Sequence, residues 1–232
     1  MIDFNRFAAL TFDCYGTLID WEGGILRALG ELLSGCGPLP SHDQLLELFG
    51  QFESQAEQGS FRDYREVLSD VAHRFRAEFR LDSAADRSAA FAASVAAWPP
   101  FPDSVGALSR LASRYRLAIV SNVDDDLFAG SASQLEVEFA EVVTAQQLRS
   151  YKPRPAHFHE VLRRLDLSVD RVLHVAQSLH HDIAPARELG FTCVWVNRRA
   201  GRPGGGATPP SVATPDLEVP DLSSLCRVMG LA

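Results

Sequence analysis

Four short apolar runs, each ending at polar residues, constrain the fold of this chain more than any other feature. Helical periodicity separates the later runs: one helical pattern follows an expected cap at Asp103, one spans Phe158 to Leu165, and one ends at Gly190. Near-continuous apolar runs are typical of buried parallel strands, which need crossover connections between them. The pattern therefore predicts an α/β protein with a doubly wound parallel sheet. The four runs are 7–14 (FAALTFDC), 116–122 (RLAIVSN), 171–178 (RVLHVAQS) and 191–197 (FTCVWVN).

Residues 20–98 interrupt this alternation, because helical patterns follow one another there without an obvious strand. Ser41 and Gln44 have the spacing of a capping box ahead of one apolar stripe. A second stripe runs from Tyr64 to Phe75, and the proline-rich segment 98–102 then returns the chain to alternation. We therefore predict a helical cap domain, residues 20–98, inserted after the first strand of a core domain formed by residues 1–19 and 99–232.

Composition limits the classes of protein that the chain could represent. Its 232 residues are 46% hydrophobic and 22% charged, which is ordinary for a soluble globular protein, and the formal net charge is −8. An acidic chain without a basic tail is not expected to bind nucleic acid, and no apolar stretch is long enough to span a membrane. The N-terminus lacks the basic start of a signal peptide. We therefore expect a cytoplasmic protein with a small-molecule substrate, and a homodimer is the assembly to consider.

The basic residues are distributed unusually. Lys152 is the only lysine, and the other 21 basic residues are arginines. One interpretation is a codon bias that replaced exposed lysines and left one by chance. The other is that this position needs a compact ammonium group, which a planar guanidinium cannot imitate.

Polar side chains gather where the predicted strands end. In an open parallel sheet, ligands bind outside the carboxyl ends of the strands, so these side chains should converge on one site. Singly, each has a structural alternative, because aspartates often form turns and serines often cap helices. Together they predict a functional site. The candidates are Asp13, Tyr15, Thr17, Ser121, Asn122, Lys152, Gln177, Ser178 and Asp182.

Four ordered segments, FDCYGTL, VSN, YKPRP and QSLHHD, resemble the four motifs of the haloacid dehalogenase superfamily, and the helical insert resembles that superfamily's cap. The resemblance covers about residues 7–197. It implies that Asp13 is a nucleophile that forms a covalent ester, which water then hydrolyses. A desolvated carboxylate held in line is a competent nucleophile, and Lys152 would keep it ionised. Asp182 would orient Lys152 or the hydrolytic water.

The same resemblance implies a substrate-binding group of five residues, among which Thr17, Ser121 and Asn122 would donate hydrogen bonds to the substrate or leaving group; the others are Tyr15 and Ser178. Phosphatases of the superfamily carry an acid two residues after the nucleophile, where this chain has Tyr15. A departing halide needs no proton, whereas an alkoxide does. The chain thus resembles the (S)-2-haloacid dehalogenases, which implies cofactor-independent hydrolysis of a small 2-haloacid.

Two other functions stay open at this point. One is a Mg²⁺-dependent phosphatase for small phosphate esters, in which Asp13 and Asp182 would hold the metal. The other is a binding protein of the same architecture whose catalytic activity has decayed. Gln177 replaces an acid of the phosphatase pattern, and this weakens a metal site.

Several positions depart from the dehalogenase pattern. Phe158 stands where those enzymes have an aromatic hydroxyl, and their cap arginine has no assigned counterpart here. Arg27, Arg62 and Arg65 are the candidates for it. His180 and His181 beside Asp182 suggest a metal cluster, but a structural role is favoured because adjacent residues do not share a helix face. Cys14 is interpreted as a small apolar filler rather than a nucleophile.

Overall fold

Six parallel strands form one sheet in the computed structural model, which describes residues 2–81, 87–202 and 204–231. The strand order is β3-β2-β1-β4-β5-β6. All four predicted strands are present, and β3 and β6 are additional short strands at the two edges. The strands are β1 (Ala9–Phe12), β2 (Arg116–Ser121), β3 (Glu141–Thr144), β4 (Val172–Ala176), β5 (Thr192–Val196) and β6 (Leu217–Val219).

Helices cover both faces of this sheet, which confirms the predicted doubly wound fold. Successive side chains of a strand point to opposite faces, so Leu10 and Phe12 of β1 pack into one apolar cluster and Ala9 into another. Helices α5 (Ser104–Ala112) and α10 (Leu222–Val228) pack into the first cluster. Helices α8 (Ala156–Leu165) and α9 (Ala184–Glu188) pack into the second. The remaining core helices are α6 (Asp125–Leu135) and α7 (Ala145–Leu148).

The insert after β1 is helical, as predicted, and we call the four α-helices among its described residues the cap: α1 (Trp21–Leu32), α2 (His42–Ala56), α3 (Tyr64–Glu78) and α4 (Ser88–Ala93). The predicted capping box at the start of α2 is present, because Ser41 and Gln44 each accept a hydrogen bond from the other's backbone N–H. The assignment of residues 1–19 plus 99–232 and 20–98 to separate domains stays a prediction.

The expected N-terminal cap of α5 at Asp103 is wrong in its chemistry. Helix α5 does begin after Asp103, but the Asp103 side chain accepts no hydrogen bond from that helix. Its two carboxylate oxygens instead bind the backbone N–H of Leu222 at 2.7 Å and the Arg198 guanidinium at 2.7 Å. The carboxylate therefore ties the start of α10 to the loop that follows β5, because these long-range donors occupy both of its oxygens.

The sequence indicates a loop at residues 198–210, and two residues of that segment, Arg199 and Ala207, contact helices of the cap. Arg199 forms ion pairs with Glu22 of α1 at 2.5 Å and with Asp43 of α2 at 2.9 Å. The backbone of Ala207 lies so close to Gly50 of α2 that a Cβ atom there would be 2.3 Å from the Ala207 carbonyl oxygen. Across the described residues, no helix has the length and apolar content that crossing a membrane requires.

Candidate active site

The carboxyl edge of the sheet brings together side chains from four separate segments. Asp13 directly follows β1, Ser121 is the last residue of β2, and Asp182 lies in the single π-helical turn, Leu179–Ile183, after β4. Lys152 lies in the turn between α7 and α8. The strands are parallel and in register, so their carboxyl ends meet here. Asp13, Ser121, Lys152 and Asp182 line one cavity between the core and the cap.

Lys152 lies between two carboxylates. Its ammonium nitrogen Nζ donates to Oδ1 of Asp13 at 2.9 Å, to Oδ1 of Asp182 at 2.6 Å and to the carbonyl oxygen of Val120 at 2.8 Å. Only 1% of the lysine is exposed. Burial alone would lower the pKa of Lys152, but the two carboxylates outweigh it and raise that pKa. The ammonium therefore stays charged, and its three protons are fully engaged.

The two carboxylates respond differently to the shared lysine. Burial raises the pKa of Asp13, and the opposing effect of Lys152 does not cancel it. Burial also acts on Asp182, but Lys152 and His174 overcome it and hold the pKa of Asp182 at about 2. The shorter contact with Lys152 belongs to Asp182. The surroundings therefore favour the ionised form of Asp182 more strongly than that of Asp13.

Thr17 holds the second oxygen of Asp13. Its hydroxyl donates to Oδ2 of Asp13 at 2.9 Å and accepts the backbone N–H of Gln177 at 2.9 Å. Thr17 is fully buried and does not line the cavity. The sequence analysis expects Thr17 to donate a hydrogen bond to the substrate. In the structure its hydroxyl proton is directed to Asp13 instead and fixes the orientation of that carboxylate.

Asn122, Ser178 and Tyr15 line the cavity, but each has a partner within the protein. The Asn122 amide bonds the backbone of Lys152 in both directions, at 2.7 Å and 3.1 Å. Ser178 Oγ accepts the backbone N–H of His181 at 2.8 Å and so begins the π-helical turn that carries Asp182. The Tyr15 hydroxyl pairs with Ser131 at 2.9 Å. These contacts position neighbouring residues of the site.

Ser121 differs from the other candidates. Only 1% of the residue is exposed, and its hydroxyl has no hydrogen-bond partner in the structure. A second buried donor in the same cavity, Nε1 of Trp21, also lacks a partner. An unsatisfied buried polar group costs free energy. The two unpartnered donors, Ser121 Oγ and Trp21 Nε1, therefore indicate that a polar ligand binds in this cavity.

His174 is a contributor to the site that the sequence interpretation missed. Its ring lies within the apolar run of β4, with Nε2 3.3 Å from Oδ1 of Asp182 and Nδ1 3.0 Å from the Thr11 hydroxyl. Phe158, which replaces the expected aromatic hydroxyl, packs edge-on against this ring at 5.2 Å. The contact with His174 thus helps to hold the Asp182 carboxylate in position. A histidine inside an otherwise apolar strand was the available signal.

The cap supplies the opposite wall of the cavity with Trp21, Glu53, Glu57 and Tyr64. The Tyr64 hydroxyl donates to Oε1 of Glu53 at 2.6 Å. Burial raises the pKa of Glu53 to about 7, and burial together with the neighbouring Glu53 raises the pKa of Glu57. The cavity has a volume of about 40 Å³. The sequence analysis predicted none of these four residues to be part of the site.

The three candidate arginines of the cap lie elsewhere. Arg27 is exposed on α1, Arg62 pairs with Asp70 at 3.1 Å, and Arg65 pairs with Asp126 at 2.5 Å. None of the three lines the cavity. The acidic wall described above therefore occupies the cap side of the site, where the resemblance led us to expect a guanidinium.

The donor set does not suit a magnesium ion. Mg²⁺ needs several oxygen ligands in octahedral geometry, whereas Asp13 and Asp182 both accept hydrogen bonds from Lys152, and Tyr15 occupies the position of a further acid. Within residues 2–81, 87–202 and 204–231, no three His, Cys, Asp or Glu side chains are grouped as metal ligands. His181 lines the cavity, and burial lowers its pKa to about 4.

Cys14 is fully buried, as its interpretation as an apolar filler requires. Burial and the adjacent Asp13 raise the pKa of its thiol well above the usual value. A neutral thiol is a poor nucleophile, which leaves Asp13 as the nucleophilic candidate at the end of β1.

A Rossmann-like sheet with a carboxylate at the end of its central strand, a buried lysine beside it and a helical cap above it defines a class of capped hydrolases. The family model for haloacid dehalogenase-like hydrolases matches residues 7–190. The chain belongs to that family.

Relatives and solved structures agree with this assignment. The chain is 25% identical over 198 residues to (S)-2-haloacid dehalogenase 1 of Pseudomonas sp. (strain CBS-3), a match that covers 82% of this chain and 84% of that protein. It is 26% identical to (S)-2-haloacid dehalogenase 4A of Burkholderia cepacia, with 88% and 87% covered. The fold matches the L-2-haloacid dehalogenase of Xanthobacter autotrophicus with covalently bound chloropropionic acid (TM-score 0.79, 23% identity, 97% and 100% covered).

Proposed function

We propose that this protein hydrolyses the carbon–halogen bond of a small 2-haloacid without a metal cofactor. A carboxylate oxygen of Asp13 would attack the carbon that bears the halogen, and the halide would leave with the bonding electron pair. Water would then attack the Asp13 carboxyl carbon of the resulting ester. This step releases the 2-hydroxyacid, restores Asp13 and yields one proton. The names of the relatives support the reaction type.

The observation that carries this proposal is the position of Lys152 Nζ between Asp13 and Asp182. The ammonium offsets part of the cost of a buried charge on Asp13 and so favours the carboxylate form that attacks. Tyr15 supplies no readily transferable proton, because burial raises its pKa well above the usual value. A halide needs no such proton, whereas the alkoxide that a phosphate ester releases does.

The hydroxyl of Ser121 and the indole N–H of Trp21 are the unpaired donors available to the substrate carboxylate or the departing halide. Asp182, held by Lys152 and His174, would orient the hydrolytic water through its ionised carboxylate. We further propose a cytoplasmic location, which is supported by four cysteines that are all free.

Isotope labelling tests the nucleophile directly. Enzyme in excess is mixed with 2-chloropropionate in oxygen-18 water for a single turnover, and the Asp13 peptide and the product are analysed by mass spectrometry. We expect the label in the Asp13 carboxylate, because water attacks the ester at the aspartyl carbon. Label in the product alone would show that water attacks the substrate directly.

Two controls separate this proposal from its competitors. Asp13→Asn should abolish halide release while the thermal unfolding temperature stays close to that of the wild type, because the amide is nearly isosteric. Phosphate esters are assayed in parallel with Mg²⁺ and with EDTA. Efficient, EDTA-sensitive phosphate release by the wild type would contradict the proposal, and ligand binding without turnover in either assay would indicate a binding protein.

A further inference from the structure

Two carboxyl groups that follow the cap helix α2 or lie in it line the same cavity as Asp13, and no basic side chain among the described residues pairs with them. Glu53 lies in the last turn of α2, and Glu57 is the C-cap residue four positions later, so their side chains lie on the same side, and both line the cavity. The Tyr64 hydroxyl is the hydrogen-bond partner of Glu53. Among the described residues, no Lys, Arg or His forms an ion pair with Glu53 or Glu57. Glu53 is 6% exposed, and ionising a carboxyl group at that depth is costly unless a cationic partner arrives.

The core side of the cavity offers no free cation to a substrate. Lys152 is the one Lys or Arg among the described residues that line the cavity, and its three protons are engaged by Asp13, Asp182 and Val120. The lining thus sets four carboxyl groups against one ammonium. An anionic group beside Glu53 and Glu57 would disfavour their ionised forms still further, whereas a cationic group would favour them.

Independent features show that a polar ligand belongs in this space. Ser121 Oγ and Trp21 Nε1 line the same cavity, and both are buried without a hydrogen-bond partner. Ser121 is 1% exposed and Trp21 is 7% exposed. The rings of Trp21 and Tyr64 also border the space beside the two glutamates. Aromatic faces next to carboxylates attract organic cations.

We infer that the substrate carries an ammonium group, which binds between Glu53 and Glu57, in addition to the carbon–halogen bond that faces Asp13. The inference rests on the proposed dehalogenation and names its substrate class, a small 2-haloacid with a cationic nitrogen at its far end. The carboxylate of such a molecule meets the neutral donors Ser121 and Trp21. Its ammonium supplies the counter-charge with which the two cap carboxyls can ionise.

A matched pair of compounds tests this assignment. 2-Chlorobutyrate and 4-amino-2-chlorobutyrate share the reacting carbon and the carboxylate and differ by one ammonium group. Chloride release is measured for both, with enzyme-free and Asp13→Asn samples as blanks for spontaneous cyclisation. A close, desolvated charge pair at an interface corresponds to about a tenfold or greater gain, so we expect kcat/KM for the amino compound to be higher by at least that factor. Equal values, or a preference for 2-chlorobutyrate, would overturn the inference.

Variants locate the preference at the cap. The double substitution Glu53→Gln with Glu57→Gln keeps the shape of the wall and an acceptor for the Tyr64 hydroxyl. It should remove the preference for the amino compound, so that the ratio of kcat/KM for the two compounds approaches one. Glu47→Gln, on the exposed side of the same helix, is the matched control and should retain the preference. A preference that survives the double substitution would contradict the assignment.

Failure of the proposed reaction can be told apart from failure of this inference. If neither compound releases chloride, the proposed dehalogenation is wrong, and the charge assignment is then read from binding. Calorimetric titration of the Asp13→Asn variant with 4-aminobutyrate and with butyrate should show tighter binding of 4-aminobutyrate. Equal binding of the two, or no binding of either, would overturn the inference.

Discussion

At the scale of single residues, Lys152 has surroundings that explain why its side chain is a lysine. Three acceptors surround one nitrogen atom in a site that is 1% exposed. An ammonium group directs three protons outward from a point, whereas a guanidinium spreads its protons over a plane that needs more room. The geometry favours the chemical interpretation of this position over a codon bias.

Replacement of Lys152 should therefore be severe even when the charge is kept. Lys152→Arg should lower turnover by at least about 100-fold, equivalent to roughly 2.7 kcal/mol of barrier. Lys152→Met should also lower stability by about 3 kcal/mol or more, because Asp13 and Asp182 would be buried without a cation. Initial rates and urea denaturation measure the two effects. Near-normal turnover in Lys152→Arg would restore the codon-bias interpretation.

Glu53 makes stability depend on pH. Its pKa is about 7 in the folded protein against 4.5 without the fold, so between these values the folded state binds a proton that the unfolded state does not. The stabilisation is complete below pH 4.5 and is lost as the pH rises through about 7. The free energy of unfolding should fall by up to about 1.4 kcal/mol per pH unit across this window.

Urea denaturation at several pH values checks this prediction. The difference in unfolding free energy between the wild type and Glu53→Gln should decrease from pH 5 to pH 7, because the glutamine cannot ionise. Glu47→Gln should show no such trend, since Glu47 is exposed. A difference that is flat or that increases over this range would mean that Glu53 is already ionised in the folded protein.

At the scale of elements, the N-terminus of helix α3 is capped by a side chain of the core. Asp63 is the N-cap by position, but its side chain accepts no hydrogen bond from the helix. The Asp124 carboxylate, which follows β2, instead accepts the backbone N–H groups of Tyr64 at 2.7 Å and Arg65 at 2.8 Å. The same contacts that satisfy the helix terminus therefore fix one end of the cap to the core.

Removal of the Asp124 carboxylate should test this arrangement. Asp124→Ala leaves two N–H groups of α3 without their acceptor and should lower the free energy of unfolding by about 2 kcal/mol. Asp63→Ala should cost less, since that side chain only accepts a hydrogen bond from Gln146 at 3.2 Å. Chemical denaturation of both variants gives the order, and a larger cost for Asp63→Ala would show that local capping prevails.

At the scale of the whole molecule, Arg199 joins the core to two cap helices. Its side chain is 8% exposed and pairs with Glu22, which is 18% exposed, and with Asp43, which is 54% exposed. Thr208, nine residues further along the same loop, lines the candidate active site. The position of the cap over Asp13 thus depends on contacts that join distant parts of the chain.

Arg199→Met should keep much of the packing while it removes both ion pairs. We expect a loss of about 2 kcal/mol in the free energy of unfolding, between the values for exposed and buried pairs. Arg202→Met, in the same loop and exposed, serves as the control and should change stability little. A loss that is equal in the two variants would assign the effect to the loop rather than to the Arg199 ion pairs.

The sequence by itself determined the architecture of the core and the part of the site that lies at the carboxyl edge of the sheet. The apolar runs of β1, β2, β4 and β5 signal buried strands, and parallel strands place the residues at their carboxyl ends together. Strands β3 and β6 carry weaker signals, because they are edge strands of four and three residues and retain polar side chains. Asp13 and Asp182 come after strands and Lys152 lies in a turn, so local sequence patterns are enough to predict where these three residues lie.

Only the tertiary structure decided which groups face those residues. The apolar stripe of α2 predicts a packed helix, but its docking against the core determines that Glu53 and Glu57 enter the cavity while Arg27 stays outside it. His174 likewise occupies a strand whose pattern gives no partner for it. Periodicity is a local property, whereas the charge that a substrate meets is a sum over elements that are distant in sequence, and only packing brings them together.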